Sequence, residues 1–174
     1  MEVNGQLWEA DLAGVSTFDA AEFDDDDELH GAMITGAIGE LGAADYESMM
    51  LVLGLSEARL HNANGAYPFV LDDDAFIDGR ATGLYTQHHS GGAFYVMTDG
   101  QVTITSSSVS EQTFMGMPIG RGFDYVTGTF QGTLQLAPDG DPPGDAPQTL
   151  TIRNGTFSVP NTSGLADFMG TSGR

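Results

Sequence analysis

Between Val126 and Leu136 the sequence alternates without a break. Val126, Gly128, Phe130, Gly132, Leu134 and Leu136 fall at even positions, and Thr127, Thr129, Gln131, Thr133 and Gln135 at odd ones. A period of two sends the two sets to opposite faces of an extended strand, one against a core and one into water. On a helix the same spacing would scatter the apolar residues around the cylinder. Thr149 to Val159 reads as the returning arm of a hairpin. Its inward set begins even, with Leu150 and Ile152, and ends odd, with Phe157 and Val159. A change of parity needs an extra residue, and Asn154-Gly155 can supply it as a bulge, with Gly155 expected at positive φ. The prolines and glycines of 138–147 exclude a strand and mark the loop between the arms.

The same punctuation recurs along the chain. Asn4-Gly5 reads as a tight turn feeding a short strand that ends near Trp8, the one Trp of the chain, expected as a core anchor rather than an exposed stacking ring. Val15–Phe18 and His30–Ile38 are read as strands. Met49-Met50-Leu51-Val52-Leu53 is a short apolar run closed by Gly54. It is read as a strand buried on both faces, in preference to a short helix. Ser56–Ala63 reads as a turn of helix, and Ala66–Leu71 as an edge strand because of Pro68. Ala81–Gln87 is expected to pair with Ala93–Met97. Asp99-Gly100 reads as a type I′ hairpin turn before Gln101–Thr105, and Met115–Arg121 as a Gly-rich connection. The result is roughly nine to eleven short strands, with no alternation of strand and helix and no fixed repeat. That pattern predicts an all-β fold, an antiparallel β-sandwich or flattened barrel, over residues 1–160, with 161–174 as a flexible tail.

Charge narrows the partners. Twenty-five acids face five bases, all of them Arg, for a net charge of −20. Eighteen of the acids lie in residues 1–87. Such a chain repels phosphate backbones and anionic lipid, which argues against nucleic acid. Self-repulsion opposes compaction, so salt or cations should favour the fold, as a saline or calcium-rich setting would provide. There is no Cys, hence no disulfide and no thiolate metal site. No apolar run is long enough to span a membrane as a helix. The first residues lack the basic start and apolar core of a leader.

Several short motifs resemble a known group. Val3-Asn4-Gly5-x-x-Trp8-x-Ala10, Gly65-Ala66-Tyr67, Gly100-x-Val102-Thr103-Ile104-Thr105, Val126-Thr127-Gly128-Thr129-Phe130 and Thr151-Ile152-x-Asn154-Gly155-Thr156-Phe157 occur in that order. The chain looks like small secreted bacterial β-domains, often lipoproteins, of undetermined function. The resemblance implies an extracellular or cell-surface location and no catalytic residues. Its members usually carry a leader with a lipid-attachment Cys, and neither is present in this sequence.

Chemistry-bearing motifs are few. The sequence holds no Gly-x-Ser-x-Gly elbow, phosphate loop or His-Glu-x-x-His. His88-His89 would need a loop to converge on a metal, and His30 and His61 read as solvated. Calcium takes six to eight oxygens, and two loops space carboxylates around glycines. One holds Asp72, Asp74 and Asp78, the other Asp139, Asp141 and Asp145. Neither matches the twelve-residue helix-flanked loop. The run Asp24–Glu28 is a weaker candidate. Tyr85, Phe94, Tyr95 and Tyr125 are available for sugar stacking. The expectation is a non-catalytic surface interaction module for a protein or glycan, cation-stabilised, with no cofactor other than Ca2+. The alternatives are a calcium-dependent carbohydrate-binding module and a carboxylate hydrolase.

Overall fold

The computed structural model describes residues 1–19, 29–40, 43, 45–71, 77–87, 92–114, 117–137, 144 and 146–161. Within them the chain forms β1 (Glu2–Val3), β2 (Gln6–Leu7), β3 (Leu12–Asp19), β4 (Leu29–Ile38), β5 (Glu47–Ser56), α1 (Glu57–His61), β6 (Gly65–Pro68), β7 (Ala81–Gln87), β8 (Ala93–Phe114), β9 (Met117–Leu136) and β10 (Thr149–Pro160). All the strands join one antiparallel sheet in the order β2-β1-β10-β9-β8-β7-β5-β4-β3, with β6 on β8 off that path. The fold is all-β, as the alternation predicts.

The sheet curls into a half-barrel. Its edge strand β3 comes round to β10 and β9, meeting them at a parallel bridge between Val15 and Asn161. Beside it the Phe123 N–H donates to Thr17 Oγ1 at 3.0 Å. The long strands bend to allow this. Pairing of β8 with β9 shifts register at Met97/Asp99, Ile104/Ser106, Ser108/Val109 and Gln112/Thr113, and each bulge adds twist and curvature. Inward residues of the other strands fill the curl, whereas both residues of β2 are exposed; among the core residues are Val15, Ile34, Leu51, Leu53, Tyr85, Tyr95, Phe123, Leu134 and Ile152. The apolar run in β5 is a strand, with Leu51 to Leu55 all buried. Leu60 of α1 and Tyr67 of β6 complete the core.

The central hairpin is present, and its bulge lies at the expected step. Ile152 faces Gly132 and Gly155 faces Phe130, so Arg153 and Asn154 together oppose Gln131. The positive φ, however, belongs to Asn154 (53°) and not to Gly155. Asn tolerates the left-handed region through local hydrogen bonding. Gly155 is needed for another reason, since a Cβ there would lie 2.5 Å from the Phe130 carbonyl oxygen.

Two expectations give way. Asp99-Gly100 is not a hairpin turn but lies inside β8, where Gly100 has φ 109°. Here β8 changes neighbour: residues 93–96 pair with β7, whereas 101–104 pair with β6. A bulge and a tight turn both use positive φ, so the dipeptide signals either. Nor is 117–121 a connection. It is the start of β9, paired with the end of β8.

Candidate functional site

The seam between the two ends of the sheet is shut at Val15–Thr17 and open further toward the start of β3. The opening is a cleft of about 380 Å³. Ala10 and Ala13 line it from β3 and the residues before it, Ile34 and Gly36 from β4, Met49 and Leu51 from β5, and Phe130 and Phe157 from β9 and β10. Ala10, Ala13 and Gly36 contribute little volume to this lining, which also holds the aromatic Phe130 and Phe157. Gly36 is part of it: a Cβ there would stand 3.2 Å from the Ala10 Cβ and 3.4 Å from the Trp8 ring.

Trp8 forms the inner wall, brought there by the β1–β2 arm. Asn4 and Gly5 turn the chain at φ 49° and 79°, pairing Val3 with Gln6. The backbone N–H of Trp8 then donates to the Met1 carbonyl at 2.9 Å, and the Met1 ammonium to the Trp8 carbonyl at 3.0 Å. The indole stands edge-on to Tyr85, with ring centroids 6.5 Å apart and planes at 79°. Tyr85 packs against Tyr95 at 6.2 Å. The Tyr85 hydroxyl donates to Glu47 Oε2 at 2.6 Å. Burial first, and the Glu47 carboxylate second, push that phenol far above its ordinary range. Trp8 Nε1 and the Tyr95 hydroxyl are buried with no hydrogen-bond partner among the described residues. Of the described residues that line the cleft, Glu9 is the one carboxylate, and no Arg or His is among them.

Elsewhere the sequence-derived candidates divide. Asp72, Asp74, Asp139, Asp141 and Asp145 lie outside the described residues, as do His88, His89 and 24–28. Asp78 is described, and its oxygens are engaged: Oδ1 accepts from the Ser56 N–H at 2.7 Å and Oδ2 from Arg59 at 3.1 Å. Burial raises its pKa, but the Ser56 and Arg59 bonds outweigh burial and hold it below the usual carboxylate range. Tyr85 and Tyr95 are core residues, not a sugar platform. Phe94 and Tyr125 are each about two-fifths exposed, at 42% and 43%. Tyr125 faces Ser108, so roughly 45 Å of extended strand separates it from Phe94 along β8.

His30 lies in β4, within the strand that the alternation of His30–Ile38 predicts. Its Nε2 lies 2.9 Å from one Glu57 oxygen, and His61 Nε2 lies 3.1 Å from the other. Arg121, from the far part of β9, reaches the same His61 nitrogen at 2.8 Å. That nitrogen can donate to Glu57 or accept from Arg121, but not both with one proton. Among the described residues no group of three or more His, Asp and Glu is placed to hold a metal ion, and no helix is long and apolar enough to cross a membrane.

Comparison of the chain with protein-family models, with curated proteins and with solved structures finds no match in any of the three.

Proposed function

We propose that this protein is a non-catalytic binding module of the extracellular or surface type, and that its ligand enters the seam cleft. The observation that carries the reading is the cleft itself. It is a concave space of about 380 Å³ with Trp8, Phe130 and Phe157 in its walls, within the size and character of small-molecule sites. Carboxylate hydrolysis uses two carboxyl groups about 5–10 Å apart across the substrate. With Glu9 the one carboxylate among the described lining residues, binding accounts for the cleft better than that chemistry.

The test uses N-phenyl-1-naphthylamine, a neutral dye that brightens in apolar surroundings. Saturable one-to-one binding is expected, with amide shifts confined to residues 8–13, 34–36 and 156–159. Ala13→Phe, which places a ring in the cleft, should abolish the signal while leaving the melting temperature within a few degrees. Undiminished binding to that variant, or shifts that map elsewhere, would sink the reading.

A further inference from the structure

We infer that the ligand of the cleft is a short extended peptide, which adds as a strand along the free edge of β10 at Thr156 and Ser158. This rests on the binding reading above and adds the class of ligand. Thr156, Phe157, Ser158 and Val159 all line the cleft. Successive side chains of a strand point to opposite faces, so a space that touches four in a row runs along the strand's edge. Pairing with β9 shows which backbone groups reach that edge. The Asn161 N–H donates to the Asp124 carbonyl at 2.8 Å, in register with the pairs Val159 to Val126 and Phe157 to Gly128. Bonding alternates along an antiparallel pair. Phe157 and Val159 therefore turn their N–H and C=O to β9, and Thr156 and Ser158 turn theirs to the seam. Both of these residues are exposed. Among the described residues β1 pairs with β10 at Ile152 and Arg153, and β3 meets the chain again at the bridge of Val15 to Asn161. The edge between those contacts has no described strand beside it.

A row of unpaired backbone groups is a template for another strand. Thr156 and Ser158 stand two residues and about 7 Å apart, the interval at which an extended peptide repeats its own edge-facing groups. On a strand laid beside β10, alternate side chains fall on the face of Phe157 and Val159. That face borders Ile34, Met49 and Phe130 in the cleft, so the peptide carries apolar residues at every second position. Charge sorts its flanks. Five Arg against twenty-five acids leave −20 on the protein, a field that draws in basic segments and repels acidic ones. Inside the cleft Glu9 and the Met1 ammonium are both present, so the sorting acts on residues either side of the bound stretch.

The probe is acetyl-Lys-Thr-Val-Thr-Val-Thr-Lys-amide. It should displace N-phenyl-1-naphthylamine and, at saturation, slow hydrogen exchange at the Thr156 and Ser158 amides at least about tenfold. Those of Phe157 and Val159, bonded to β9, should be slow throughout. Two further versions carry N-methyl groups, one on the Thr amides and one on the Val amides. Just one set of amides faces β10, so one version should lose at least about tenfold in affinity and the other should keep it. Exchanging both Lys for Glu should weaken binding about tenfold at low salt. Ser158→Pro removes an edge N–H and leaves the bonds to β9; it should weaken the peptide about tenfold while the dye binds as before. Full affinity in both N-methylated versions overturns the inference, as does a Glu-flanked peptide that binds more tightly. Slow exchange at Thr156 and Ser158 without peptide overturns it too. Protection lost on dilution would assign the edge to a second copy, and protection at every concentration to this chain itself. If the dye binds and the peptide neither displaces it nor slows those amides, the inference fails and the binding reading stands. If neither binds, both fall.

Discussion

Trp8 links the core to the cleft, and its removal tests both. Trp8→Ala deletes a ring packed on Tyr85, and should cost about 3–5 kcal/mol in urea unfolding, as large aromatic truncations do. A loss under about 1 kcal/mol would mean that the ring is not held by its surroundings. The bulge of β10 separates two backbone effects at adjacent residues. Asn154 sits at φ 53°, so Asn154→Gly should be close to neutral and Asn154→Ala should cost about 1 kcal/mol. Gly155→Ala instead drives a methyl toward the Phe130 carbonyl, an overpacking that typically costs about 1–3 kcal/mol. If Asn154→Gly and Gly155→Ala cost the same, the strain has been assigned to the wrong residue.

Between strands, the polar face of the β8–β9 ladder carries a shared acceptor. Asp124 accepts from Ser110 Oγ at 2.5 Å, Ser108 Oγ at 3.1 Å and Gln112 Nε2 at 3.3 Å. The Ser110 bond chiefly, against a smaller push from burial and helped by Ser108 and Gln112, holds its pKa below the ordinary range. A depressed carboxyl contributes stability that is fully present above the unfolded value of about 3.9 and is lost as pH falls through the lower folded value. Asp124→Asn should therefore be less stable than the native chain at neutral pH, with the gap closing as pH falls below about 4. A gap of constant size from pH 7 to pH 2 would mean that the charge has no part in it. What was legible at this scale follows from locality. The alternation of 126–136 and the parity change at Asn154 are properties of one strand, so they read directly. Asp99-Gly100 misled because the same backbone angle serves a turn or a bulge. The choice depends on β6 and β7, which lie elsewhere in the chain. The cleft left no motif at all. It is lined by Ala10, Ala13 and Gly36 together with Phe130 and Phe157, residues brought together by the curl of the sheet rather than by adjacency in sequence.

Over the whole molecule, repulsion is set by a net charge of −20. At 0.01 M salt the Debye length is about 30 Å, comparable with the domain, and near 1 M it is about 3 Å. Sodium chloride should therefore raise the melting temperature steadily between these limits. A flat response would mean that the acids are already neutralised or too dispersed to matter. Millimolar calcium added at 1 M sodium chloride separates screening from binding, since an ion at a hundred times its dissociation constant adds about 2.7 kcal/mol. A further rise removed by Asp139→Asn with Asp141→Asn, or by Asp72→Asn with Asp74→Asn, assigns an ion to that loop. Asp78→Asn should leave any such response alone, because its oxygens are held by Ser56 and Arg59.

The pairing of β1 with β10 sets Glu2 against Arg153 and Val3 against Ile152, whereas from β3 to β10 the sheet joins strands close in sequence. Contacts between distant segments pay their loop-closure entropy before they are rewarded, so they tend to form late. The arm bearing Trp8 should then dock after the rate-limiting barrier, onto a meander already in place. Val3→Ala should speed unfolding and leave the refolding rate nearly unchanged. A slower refolding limb would place the arm in the nucleus instead. The wall of the cleft is, on this order of events, among the last parts of the molecule to assemble, with the bridge of Val15 to Asn161, and among the first to come away. A ligand that rests on Trp8 would then lengthen the lifetime of the folded state without hastening its formation.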